Sequence, residues 1–129
     1  MKLTRIPDNV KVHPIANRVI KQIEIFDRQL AAKIIQRIAA LGFDPRPFNK
    51  ECNSKIVQNF KKDKIFVRRL RCFDINDYRI FYAIKKSGLV CIYAVIFAGE
   101  GKHDDAYLED SEHYMLIKLL YTKYWGECQ

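Results

Sequence analysis

Ten consecutive apolar residues, LVCIYAVIFA at positions 89–98, place the tightest limit on how this chain can fold. The run is rich in β-branched and aromatic side chains. It is too short to span a membrane as a helix, so it predicts a central strand covered on both faces. Residues 78–84 (YRIFYAI) supply a neighbour, joined to it through a hairpin turn at Lys85, Lys86, Ser87 and Gly88. Residues 65–72 (IFVRRLRC) supply another, joined to 78–84 by a turn-like stretch at 74–77. Alternation puts Ile65, Val67, Arg69 and Arg71 on one face of that strand. Phe66, Arg68, Leu70 and Cys72 take the other. Neither face is purely apolar, so this strand has a polar or functional side.

The first third of the chain is helical in pattern. Residues 10–12 suit a short first strand, and Pro14 suits the first turn of a helix. Ile15, Val19, Ile23, Phe26 and Leu30 follow at helical spacing, and Ile34, Ile35, Ile38 and Leu41 continue it. Gly42 and Pro45 give a stop signal. One helix over 14–41 would be about 42 Å long, more than a domain of this size can cover. A break is therefore expected near residues 26–28, with Asp27 capping the second helix, to give a helical hairpin. Residues 43–55 read as loop, and residues 56–60 as a short strand or the loop's end. A last helix is expected from Asp110 or Ser111 to about Tyr124. Its apolar side is assigned to Tyr114, Met115, Leu116, Leu119, Leu120 and Trp125. Together these elements predict an α+β fold in one domain over 1–129, with 108–129 as a C-terminal helical extension.

Charge is unevenly spread. The chain carries a net +8, with +5 over residues 1–49, +7 over 50–86 and −4 over 87–129. A basic block of that density favours polyanionic partners. Cysteines stand at 52, 72, 91 and 128 with no CxxC spacing, which argues against zinc. Cys72 and Cys91 fall in strand patterns and read as packed thiols. Neither a metal nor a cofactor is expected. The start shows no signal-peptide pattern and no window reaches the length of a membrane span, so the expected location is the cytoplasm, with no membrane partner.

Two clusters could do chemistry. Arg68, Arg69, Arg71 and Arg79 come first, since guanidinium groups grip phosphate bidentately and can stabilise charge in phosphoryl transfer. A solvated edge strand is the competing reading. Lys102, His103, Asp104, Asp105 and Tyr107 form the second. His103 suits general acid–base work, Lys102 a phosphate contact, and Tyr107 proton donation or base stacking. Adjacent residues rarely chelate one ion, so His103, Asp104 and Asp105 make a poor metal site. His13 and His113 read as surface residues. Phe66, Phe73, Tyr78, Phe81, Tyr82, Tyr93 and Phe97 interleave with the cations, as in sheets that bind RNA, but alternation assigns most of these rings to the core.

The order of these motifs resembles the RelE/ParE superfamily of toxins from type II toxin–antitoxin systems. The likeness spans roughly residues 10–107. It rests on Arg69-Leu70-Arg71, then Asp77-Tyr78-Arg79-Ile80-Phe81-Tyr82, then His103-Asp104-Asp105-Ala106-Tyr107. The resemblance implies a helical hairpin on a small twisted antiparallel sheet. It also implies a ribosome-dependent, metal-independent mRNA endonuclease. On that pattern Arg69, Arg79, His103 and Tyr107 are the catalytic candidates. Arg68, Arg71, Lys102, Lys61, Lys62 and Lys64 are the RNA-binding ones. The implied partners are a cognate antitoxin, mRNA and the ribosome, in a homodimer or a toxin–antitoxin hetero-oligomer. The usual His-Arg pair stands here as Lys102-His103, and 22 residues follow Tyr107. The superfamily also contains a branch that poisons DNA gyrase without nuclease activity, and members that only bind RNA or protein.

Overall fold

The computed structural model describes residues 5–57, 65–75, 77–98 and 112–124, with the side chains of 115–122 in the last of these. The elements run β1 (Val10–Val12), α1 (Pro14–Phe26), α2 (Arg28–Ala40), β2 (Cys52–Ile56), β3 (Arg68–Cys72), a 3-10 turn (Phe73–Ile75), β4 (Tyr78–Ile84), β5 (Val90–Phe97) and α3 (Glu112–Tyr124). The strands form one sheet in the order β1-β5-β4-β3-β2. β3 to β5 form an antiparallel meander, as expected, and β2, in a stretch that reads as loop, extends it beyond β3. β1, however, runs parallel to β5, with Val10 opposite Val90, so the sheet is mixed. The two helices that follow β1 carry the chain across to the far edge, which frees β1 to pair in either sense.

β5 is buried from both sides, as its sequence requires. Ile92 and Val95 face a core made with Ala16, Ile20 and Ile23 of α1 and Ala31, Ile34 and Ile38 of α2. Cys91, Tyr93, Ala94 and Ile96 face a second core with Ile117, Leu120 and Tyr121 of α3. Strict alternation cannot place Tyr93 and Ala94 together. A bulge does so, because the register moves from Phe81 opposite Ala94 to Tyr82 opposite Ile92 and leaves Tyr93 as the extra residue. Tyr93 then meets Tyr121 edge-on, with ring centroids 6.4 Å apart. α3 turns inward a side that overlaps the expected one at Leu116 and Leu120 but is rotated away from Met115 and Leu119. Met115 and Leu119 are exposed, while Ile117, Leu120 and Tyr121 are buried. Apolar residues lie nearly all round this helix, so its sheet contact decides the face. Tyr114 and Trp125 lie outside the side chains described.

The helix break falls at Asp27. Its backbone N–H closes α1 on the Ile23 carbonyl at 2.7 Å, and its Oδ1 accepts from the Leu30 N–H at 3.0 Å to cap α2. At the other end of α2, Gly42 serves space rather than a left-handed turn. A Cβ there would come within 3.0 Å of Asn9, Pro7 and Val10. Gly88 does adopt positive φ, at 92°, in the β4–β5 hairpin. His13 is not a simple surface residue. It is half-buried and caps α1, its Nδ1 accepting from the Ile15 N–H at 3.2 Å.

Two stability predictions follow from these caps. Asp27→Ala should cost about 1 kcal/mol and lower Tm by about 3–5 °C in a thermal melt. Burial lowers the His13 pKa below its usual 6.5, so the folded state holds this proton less tightly than the unfolded chain. Its contribution is therefore complete above pH 6.5 and is lost as pH falls through the depressed value. Melts from pH 7.5 to 5.5 should show a smaller Tm loss in His13→Asn, which keeps a capping oxygen and cannot titrate.

Candidate functional site

β2 lies inside the segment that reads as loop from sequence alone. Its CNSKI sequence has little strand character of its own, and pairing with β3 makes it a strand. The preceding residues fold back on it. Phe48 bridges Asn53, the Ser54 N–H donates to the Pro47 carbonyl at 2.8 Å, and Asn49 Oδ1 accepts from the N–H groups of Glu51 and Cys52. Lys50 thus sits at the tip of a fixed turn.

A buried relay holds this turn from the helix side of the sheet. Tyr82 Oη donates to the Pro45 carbonyl at 2.6 Å. It has one proton, so Ser54 Oγ is the donor in the short Ser54–Tyr82 hydrogen bond. Ser54 Oγ in turn accepts from Arg68 Nε at 2.9 Å, and Arg68 reaches the Ser54 carbonyl as well. Burial pushes the Tyr82 phenol up, against the opposing pull of Ser54 and Arg68. Nearby, Arg37 Nε donates to both Asp74 oxygens at 3.0 and 3.2 Å, which ties α2 to the 3-10 turn and raises the Arg37 pKa. Cys52 and Cys72 face each other across β2 and β3. Burial, and then the Cys52 thiol beside it, push the Cys72 thiol well up, so Cys72 is packing rather than a nucleophile.

The opposite face of β2 and β3 carries the charge. Lys55 stands opposite Arg69, and Asn53 opposite Arg71. Arg69 also pairs with Phe81, and alternation along β4 puts Arg79 on the same face as Phe81. On this face lies a cleft of about 320 Å³ whose walls include Lys50, Asn53, Lys55, Arg69, Arg71 and Phe73. Glu51 is the one acid among the described lining residues, and it lies 3.9 Å from Arg37. Four cations around an open cleft can hold several phosphates at once.

The sequence-derived candidates separate here. Arg69 lines the cleft but is only 5% exposed, and Arg71 lines it half-buried. Arg79 shares their face yet is 0% exposed, with one terminal nitrogen donating to the Tyr78 carbonyl at 3.1 Å. Arg68 belongs to the relay on the other face. Lys61, Lys62, Lys64, Lys102, His103 and Tyr107 lie outside the described residues. Lys50, Asn53 and Lys55 carry no signal in the sequence, because residues 43–55 have the composition of a loop. Once β2 pairs with β3, alternation alone aligns Asn53 and Lys55 with the arginines. Among the described residues, no three His, Cys, Asp or Glu side chains come together as a metal site. Nor is any described helix long and apolar enough to cross a membrane.

No family model, no curated protein and no solved structure matches this chain. If the relay fixes the cleft wall, Tyr82→Phe should lower unfolding free energy by about 1–2 kcal/mol in urea titrations, since Pro45 loses its donor and Ser54 its acceptor.

Proposed function

We propose that this chain is a toxin of the RelE/ParE type, acting as a ribosome-dependent, metal-independent mRNA endonuclease. The observation that carries the reading is the basic cleft between β2 and β3, where Lys50, Lys55, Arg69 and Arg71 converge. In the proposed reaction a ribose 2′-hydroxyl loses its proton and attacks the adjacent phosphorus. The 5′-oxygen leaves and takes up a proton, giving a 2′,3′-cyclic phosphate and a 5′-hydroxyl. Arg69 and Arg71 hold the phosphate and offset the charge that builds on it. In this scheme proton transfer falls to His103 and Tyr107, the residues that the family resemblance points to. An acidic antitoxin segment is the natural inhibitor of such a cleft, and would fold as it covers the cations. The setting is the cytoplasm, where the ribosome is the platform.

One observation favours a second reading, a non-enzymatic inhibitor of gyrase or another protein. Arg79 is fully buried, so it can touch a substrate phosphate only if its surroundings move. Burial also makes Arg79→Ala a poor probe, because it would empty a core position. Arg71→Ala is the better one. In a bacterial translation extract, primer extension should show cuts at codon positions that require ribosomes and fall about tenfold or more in Arg71→Ala. An uncut message, together with inhibition of gyrase supercoiling, would replace the nuclease reading with the second one.

A further inference from the structure

We infer that Phe73 is a base-stacking platform at the end of the basic cleft, so that the cleft selects single-stranded over duplex RNA. This rests on the RNA-binding reading above and specifies its substrate. The Phe73 ring is 66% exposed, although the residue is firmly mounted. Its N–H donates to the Glu51 carbonyl at 3.0 Å, the next residue Asp74 is clamped by Arg37, and Ile75 is buried. An aromatic ring left in water on a rigid turn gives nothing to the core. It does offer a flat apolar face beside Arg69, Arg71, Lys50 and Lys55.

That pairing suits a nucleotide with its phosphate on the cations and its base on the ring. Every base has a π-face, so stacking does not depend on sequence. In a duplex those faces are already stacked, and the ring would have nothing to meet. Phe73 also borders a second cleft, of about 350 Å³, lined by Asp27, Asp74, Asp77 and Lys33 among others. Its carboxylates repel phosphate. The bound strand therefore runs along the basic side and stops at Phe73. The charged surroundings on both sides also distinguish this ring from the apolar centre of a protein interface.

Fluorescence anisotropy at low salt tests this with the full chain and three probes. These are a labelled single-stranded oligoribonucleotide, the same strand annealed to its complement, and an abasic strand of equal length. The wild type should prefer the single strand to both others. Phe73→Ala should weaken it about tenfold, leave the abasic strand unchanged, and be rescued by Phe73→Tyr. The ring is exposed, so the variant keeps its fold. Arg71→Ala should weaken all three and flatten the salt dependence. Equal single-strand binding by Phe73→Ala and wild type would overturn the stacking role while leaving RNA binding intact. Failure of the wild type to bind any probe, with ribosomes absent or added, would instead remove the RNA reading beneath it. A doubled solution mass that Phe73→Ala abolishes would also overturn the proposal, by giving the ring to a contact between two copies.

Discussion

Burial of β5 from both sides is the constraint on which the rest of the molecule depends. A strand with no polar face cannot end a two-layer structure, so one layer of helix is not enough. α1 and α2 cover one side, with Ile20, Ile23, Ile34 and Ile38 as the main contacts. α3 covers the other through Ile117, Leu120 and Tyr121. Each large apolar side chain so buried contributes about 1.5–3 kcal/mol. The third helix therefore belongs to the core. It packs on the face that also carries Arg69, Arg71 and Arg79, and among the described residues the cleft on that face lies along β2 and β3.

β3 divides its arginines by alternation. Arg68 points to the helix side and serves the Ser54–Tyr82–Pro45 relay. Arg69 and Arg71 point the other way and line the cleft. The relay has a forced direction, since the Pro45 carbonyl cannot donate and Tyr82 has a single proton. Its effect is to pin the turn that presents Lys50. The Arg37–Asp74 pair does the same for the turn that presents Phe73. Cations held in place before a phosphate arrives lose less conformational freedom on binding, and each contact is then worth more.

Much of this was readable in advance. Asp27 marked the helix break because a single helix over 14–41 had nowhere to go, and β4 and β5 fell where β-branched and aromatic residues cluster. The misses share a physical cause: tertiary contacts overrode local pattern. β2 has too few apolar residues to declare itself and exists because β3 pairs with it. Tyr93 breaks alternation through a bulge that no periodicity foretells. α3 is apolar nearly all round, so its inward face is chosen by the sheet. Among the aromatic residues, Phe81, Tyr82 and Tyr93 are core as alternation implied. Phe73 and Phe97 are exposed, since one sits in a turn and the other at the end of a strand. Arg69 and Arg71 were legible as a same-face pair. The burial of Arg79 was not, because sequence gives no measure of how deep a strand position lies.

That burial bears on why the face is built as it is. Arg79 is among the largest fully buried side chains described, and it lies in a sheet whose neighbouring positions include Phe81 and Ile96. An arginine there stays cationic and must be solvated by protein, as its contact with the Tyr78 carbonyl shows. A well-packed apolar residue would often serve stability as well or better. Its place is set by the strand: alternation along β4 puts Arg79 on the face of Phe81, opposite Ile96, and burial of that face leaves its guanidinium to be satisfied inside the protein.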